Sequence, residues 1–257
     1  IVFNNLGAAS AITGKNKQAL DYWEQALGKN PRLPEIHVNM GVVHEKMGQK
    51  KKALAAYQKA LELDETNAMA HYNLGVIYAK EKDFSKAIEE WKIALKLDNK
   101  DENIMNSLAW GHEKIGEKKE ALAYLNSSIK LSPFDSKTHY SSGRLKYDMG
   151  NVDDSIDSFK KAVQLDPNYG EAYYRLALAY DALNQSYDAI SNLLIGEIVF
   201  HKSSKMDLFE KTKKKLEPLF TKYQTKREDF KDLQVPETLR GYDLHKRPNQ
   251  IRTSGKK

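Results

Sequence analysis

Residues 34–101 carry one pattern written twice. PEIHVNMGVVHEKMGQKKKALAAYQKALELDETN is followed by AMAHYNLGVIYAKEKDFSKAIEEWKIALKLDNKD, each 34 residues long. Laid over each other they agree at His37 and His71, Asn39 and Asn73, Gly41 and Gly75, Ala53 and Ala87, Ala60 and Ala94, and Leu63 and Leu97. A unit this short cannot bury its apolar face alone, so a fixed period of this size implies stacked copies that share one continuous core. An array of this kind points to binding rather than to chemistry.

Extending the frame both ways gives units 1–33, 34–67, 68–101, 102–135, 136–169 and 170–200. The eighth position of the unit reads Gly7, Gly41, Gly75, Ala109, Gly143 and Ala177, and the twentieth Ala19, Ala53, Ala87, Ala121, Ser155 and Ala189. Small residues at fixed places let helices approach closely. Large residues fill the twenty-fourth position: Trp23, Tyr57, Trp91, Leu125, Phe159 and Leu193. Each unit divides into two apolar-periodic segments of about 13 residues, which predicts a pair of helices about 20 Å long. Gly14, Gly48, Gly116, Gly150 and Asn184 stand at the turn within the pair and tolerate a left-handed backbone. Lys82 holds that place in the third unit, which predicts local strain. Pro31, Pro133 and Pro167 mark breaks between units.

The pattern resembles the tetratricopeptide repeat, best in the third unit with Leu74, Gly75, Tyr78, Ala87, Trp91 and Ala94. The resemblance spans about 200 of the 257 residues. It implies an all-α fold, a right-handed α-solenoid of six helix-turn-helix units whose first helices line a concave groove. Beyond Phe200 the period stops. Met206, Phe209, Thr212, Leu216, Leu219, Phe220 and Tyr223 form an apolar stripe that predicts a capping helix within 201–224, entered through Ser203 and Ser204 and kinked or restarted at Pro218. Residues 225–257 form a basic tail. Phe230, Leu233, Val235, Leu239 and Tyr242 suggest that its first half docks, residues 225–245 folding back on the repeats and competing with partners; the last dozen residues read as disordered.

No glycine-rich phosphate loop, nucleophile elbow or metal-spaced cluster is present, so no catalytic, cofactor or metal residue is expected. The recurring histidines 37, 71 and 139, and 44 and 112, read as packing residues bonded to a neighbour. With no cysteine there is no disulfide or thiolate site. Residues 201–257 carry 16 Lys and Arg against 8 Asp and Glu, whereas residues 1–200 carry 25 against 27. The basic excess therefore belongs to the C-terminal segment. Its readings are a solvated lysine face, a dock for an acidic protein, and binding to nucleic acid or an anionic membrane surface; the lack of interleaved aromatics weighs against single-stranded nucleic acid.

The resemblance implies that the second, fifth, sixth, ninth, twelfth and thirteenth residues of each first helix face the groove. The sixth position gives Asn5, Asn39 and Asn73, an asparagine ladder similar to that in the repeats of O-linked N-acetylglucosamine transferases. Each amide offers a donor and an acceptor that match the backbone of an extended peptide. Around it the early lining is apolar (Val38, Val42, Tyr72, Val76), and the later lining is aromatic and basic (Trp110, Tyr140, Arg144, Tyr147, Tyr174, Arg175). Some of these aromatics are expected to pack between helices instead. The early part should hold an apolar segment and the later part an acidic one.

Chaperone-binding members of the family clamp a terminal carboxylate with Lys and Asn in one unit, Asn in the next, and Lys and Arg in the third. At those places the first three units give Asn4, Ala8, Asn39, Met69 and Asn73, and the last three give Asn106, Trp110, Ser141, Glu171 and Arg175. No chaperone carboxylate clamp is expected. The resulting function is a non-catalytic scaffold or adaptor for a protein or peptide partner. The alternatives are a targeting arm of a larger enzyme lying before Ile1, and a self-associating assembly protein.

Overall fold

The computed structural model describes residues 2–239. The expectations for Tyr242, for residues 240–245 and for the last dozen residues lie outside them. Among the described residues there are thirteen α-helices, two short 3-10 helices and no strand. In order they are α1 (Val2–Ile12), α2 (Asn16–Lys29), α3 (Pro34–Lys46), α4 (Lys50–Leu63), α5 (Ala68–Lys80), α6 (Phe84–Leu97), α7 (Glu102–Lys114), α8 (Lys118–Leu131), α9 (Ser136–Asp148), α10 (Val152–Leu165), α11 (Gly170–Ala182), α12 (Ser186–Lys202) and α13 (Met206–Lys222). They form two compact bodies, an N-terminal half ending at Ser127 and a C-terminal half beginning at Ser128. Within each half consecutive helices pack as pairs, α1 on α2, α3 on α4 and α5 on α6, then α9 on α10 and α11 on α12.

The pairing follows from two positions of the period. A Cβ built on Gly7 would stand 2.6 Å from Trp23 Cδ1, on Gly41 2.7 Å from Tyr57 Cδ1, and on Gly143 2.8 Å from Phe159 Cδ1. Each glycine thus gives its volume to the aromatic ring of the following helix, and all of these rings are buried. Burying such a side chain contributes roughly 1.5–3 kcal/mol. Where the small position holds alanine, at 109 and 177, the large position holds the shorter leucine, at 125 and 193, both buried. Sequence and packing agree unit by unit.

Helix ends are set by side chains and backbone. Asn67, Asp101 and Asp135 cap α5, α7 and α9 by accepting from backbone N–H groups of the first turn. The turns within pairs carry positive φ at all four expected glycines and at Asn184; Lys82 adopts φ 64°, the strain expected there.

Two local expectations are corrected. Ser203 and Ser204 close α12 rather than opening α13: Ser203 Oγ donates to Val199 O at 2.9 Å, and Ser204 takes φ 57°. The N-cap of α13 is Lys205, with no side-chain cap bond. Nor does the chain restart at Pro218, since α13 runs on to Lys222. Lys214 and Pro218 are both exposed, so solvent can take up the carbonyl that the missing N–H leaves free.

The packing of α13 is periodic with what precedes it. Lys205 Nζ donates to Glu171 at 2.8 Å and Lys215 Nζ to Asp181 at 3.3 Å, both across 34 residues. Lys222 at 2.6 Å and the Tyr223 hydroxyl at 2.9 Å converge on the same Asp181 carboxylate. Leu216 and Leu219 bury against Ala177, Ile190, Leu193 and Leu194. The helix therefore occupies the place of a further first helix.

The tail then returns. Phe230 packs beside Tyr187, ring centroids 5.3 Å apart, and Leu239 is buried with Tyr173, Ile195, Ile198 and Val199. Leu233 and Val235 pack there too, as the apolar spacing suggested. Arg227 donates to Glu197 at 2.7 Å, an acid only 4% exposed on α12, and Lys202 Nζ donates to Thr238 O at 2.6 Å.

Candidate peptide-binding surfaces

In the N-terminal half the first helices α5 and α7 enclose an open cavity of about 460 Å³. Its walls are Tyr72, Val76, Ala79 and Lys80 from α5, Trp91 from α6, and Asn103, Asn106, Ser107 and Trp110 from α7. Every α5 and α7 wall residue stands at one of the six groove positions. Trp91 Nε1 donates to the Tyr72 carbonyl at 3.1 Å, which locks the floor. Trp110 is 42% exposed; its ring meets Phe84 edge-on at 5.3 Å, and Lys114 Nζ lies 5.8 Å from its centroid. A rigid, half-open aromatic of this kind is suited to anchoring an apolar side chain.

The asparagines fall on a gradient. Asn5 is exposed, Asn39 half-buried and Asn73 only 8% exposed. None of the three amides hydrogen-bonds to the described residues, and Nδ2 of Asn73 is closed off from solvent with no acceptor. Asn73 does not itself line the cavity.

Val38 departs from expectation. It is 5% exposed in the core with Ala53, Tyr57, Ala70 and Leu74, and Val42 packs against the same cluster. At the fifth position Val38 is swallowed between neighbouring helices, whereas Tyr72 in the next unit reaches past them to the cavity wall. Tyr57 crosses this region as well, its hydroxyl donating to Glu45 at 2.8 Å while Lys80 holds the other carboxylate oxygen at 2.7 Å.

The C-terminal half holds a second cavity, of about 300 Å³. Tyr140 from α9, Glu171, Tyr174, Arg175 and Leu178 from α11, Phe200 from α12, and Leu208, Lys211 and Thr212 from α13 form it. The Tyr140 ring leans on Tyr169 at 4.9 Å and Phe159 at 5.9 Å, which fixes it. Arg144 and Tyr147 are not among these walls. Arg144 Nη1 lies 3.8 Å from Asp148, and Tyr147 packs on the core around Phe159. No described residue of the returning tail lines the cavity; the tail lies on α12 instead.

The sequence alone shows α13 as a lid and misses its contribution to this wall. The 34-residue offset from Glu171 to Lys205 is the signal that could have found it. Four of the five recurring histidines bond to neighbours: His44 to Gln49 at 2.8 Å, His71 to Glu90 at 2.6 Å, His112 to Glu117 at 2.5 Å and His139 to the Pro133 carbonyl at 3.0 Å. His37 makes no hydrogen bond to the described residues.

A family model described as the TPR repeat matches residues 47–82 and 143–184, and one described as the tetratricopeptide repeat matches residues 68–101. The chain is a tetratricopeptide repeat protein. Solved structures similar to it carry the same fold. YrrB, described as a TPR protein with an unusual peptide-binding site, is 23% identical with a TM-score of 0.63, covering 75% of this chain and 97% of that one. PilF of Pseudomonas aeruginosa is 17% identical with a TM-score of 0.71, covering 83% and 96%. MamA is 25% identical with a TM-score of 0.61, covering 65% and 97%. Among curated proteins, a UDP-N-acetylglucosamine–peptide N-acetylglucosaminyltransferase of Giardia intestinalis is 33% identical over 75 residues. That match takes in 24% of this tetratricopeptide repeat protein and 5% of the length of the transferase.

Proposed function

We propose that this protein is a non-catalytic scaffold of six repeats over residues 1–200, capped by α13, whose first helices hold an extended or helical segment of a partner protein. One observation carries the reading: Tyr72, Val76 and Trp110, chosen for their place in the first helices, converge on one open cavity. The amides of Asn5 and Asn39, which reach solvent and make no hydrogen bond to the described residues, support it. YrrB, whose fold is the same, is described as having a peptide-binding site, which supports the reading further.

The test is affinity purification with mass spectrometry on the native chain, repeated with Asn39→Ala, Asn73→Ala and Tyr72→Ala combined. Loss of the native partners, with the helical circular dichroism melt retained, is expected. Recovery of the same partners by the mutant would overturn the reading.

The match to the transferase favours a second reading, in which these repeats are the recognition arm of a longer protein whose chemistry lies elsewhere. The complete reading frame decides between them. Light scattering at several concentrations tests the remaining alternative, self-association.

A further inference from the structure

We infer that the cavity between α11 and α13 recognises the carboxylate of an aspartate or glutamate side chain set beside a large apolar residue of the bound segment. The inference rests on the peptide-binding reading above and assigns a partner chemistry to one part of it.

Three charged residues line this cavity: Glu171, Arg175 and Lys211. Glu171 is already engaged by Lys205 at 2.8 Å. Arg175 is half-buried and makes no hydrogen bond or ion pair with any described residue. Lys211 likewise has no carboxylate partner among the described residues; its ammonium rests 5.1 Å above the Tyr174 ring. The wall thus presents two uncompensated cations with its one acid spent.

A half-buried guanidinium has lost part of its hydration with nothing given in return, so it favours an incoming anion. The same ring that supports Lys211 forms, with Tyr140, Leu178 and Leu208, an apolar bed beside the cations. Free phosphate would leave that bed empty. A side-chain carboxylate next to a Leu, Phe or Met would fill both parts. Lys211 comes from α13, so the helix that closes the array also completes the site.

The experiment pans a randomised dodecapeptide library on the full chain in two formats, one with the peptide C-terminus fused and one with it free. Peptides from the fused format carry only side-chain carboxylates and should show Asp or Glu beside a large apolar residue. A synthetic peptide from that pool should lose about tenfold in affinity when its acid becomes the amide, as removal of one charge-assisted hydrogen bond implies. The loss should vanish against Arg175→Gln with Lys211→Gln. Those substitutions should leave the chain folded, since neither cation has a carboxylate to lose and the Lys211 contact with the Tyr174 ring contributes little.

If the pool shows no acidic preference, or the acid and amide forms bind the native chain equally, the inference is wrong and peptide binding still stands. Enrichment confined to the free-terminus format replaces the side-chain carboxylate by a terminal one and also overturns it. If neither format yields a binder, the peptide-binding reading and this inference fall together.

Discussion

Gly75 and Trp91 share one volume: a Cβ added to Gly75 would stand 2.5 Å from Trp91 Cδ1. Two consecutive helices therefore meet only because the first has no side chain there. Gly75→Ala should destabilise the protein by about 1–3 kcal/mol, the usual range for overpacking. In a Trp91→Leu background the same change should cost far less, because 109 with 125 and 177 with 193 already pair Ala with Leu. Urea unfolding of the four variants measures the coupling. Additive losses would mean that the two positions do not share space.

Lys82 holds a left-handed turn that its counterparts give to glycine or asparagine. Lys82→Gly should raise stability by about 0.5–1 kcal/mol, after the extra chain entropy of glycine is set against the relieved strain. Gly48→Lys should show the opposite sign in the same melt.

Asp181 makes the docking of α13 sensitive to acid. Burial by itself would raise its pKa, but the hydrogen bonds from Lys222, Tyr223 and Lys215 outweigh it and hold the carboxyl below its ordinary value of 3.8. A carboxyl depressed in the folded state stabilises fully above its unfolded pKa and loses that stabilisation as pH falls through the folded one. Below pH 3.8, α13 should therefore become accessible to an acid-active protease sooner than the helix pairs. Asp181→Asn should be accessible at every pH and show no such step.

Glu197 lies buried on α12 with Arg227 of the tail against it. Arg227→Met should cost about 3 kcal/mol, because it leaves a buried carboxylate without its cation. It should also expose residues 225–239 to proteolysis. Combining it with Glu197→Gln should return most of that loss, which a contact of packing value only would not do.

The 34-residue period makes the helix pairs legible, since spacing alone determines which residues must be small and which large. Spacing says less about how far a side chain reaches. Val38 and Tyr72 both stand at groove positions, yet one is in the core and the other on a cavity wall, because the outcome depends on side-chain length against neighbours brought in from another helix. Arg144 is a candidate contact on charge grounds, although Asp148 four residues on along the same helix is the local sequence signal for the pair it makes. Beyond residue 200 the small and large residues of the repeat stop recurring, so the serine pair looks like a helix start when the backbone at Ser204 makes it a stop.

The ion pairs from Lys205 to Glu171 and from Lys215 to Asp181 repeat the period once more, on a helix after which the chain reverses. A tandem array is by nature open to growth, since each new copy leaves behind the same sticky face. Here the face beyond α12 is occupied by a helix of the chain itself, and the returning tail covers what that helix leaves bare. The apolar face beyond α12 is thus covered by the chain's own residues, and another molecule reaches it only by displacing α13.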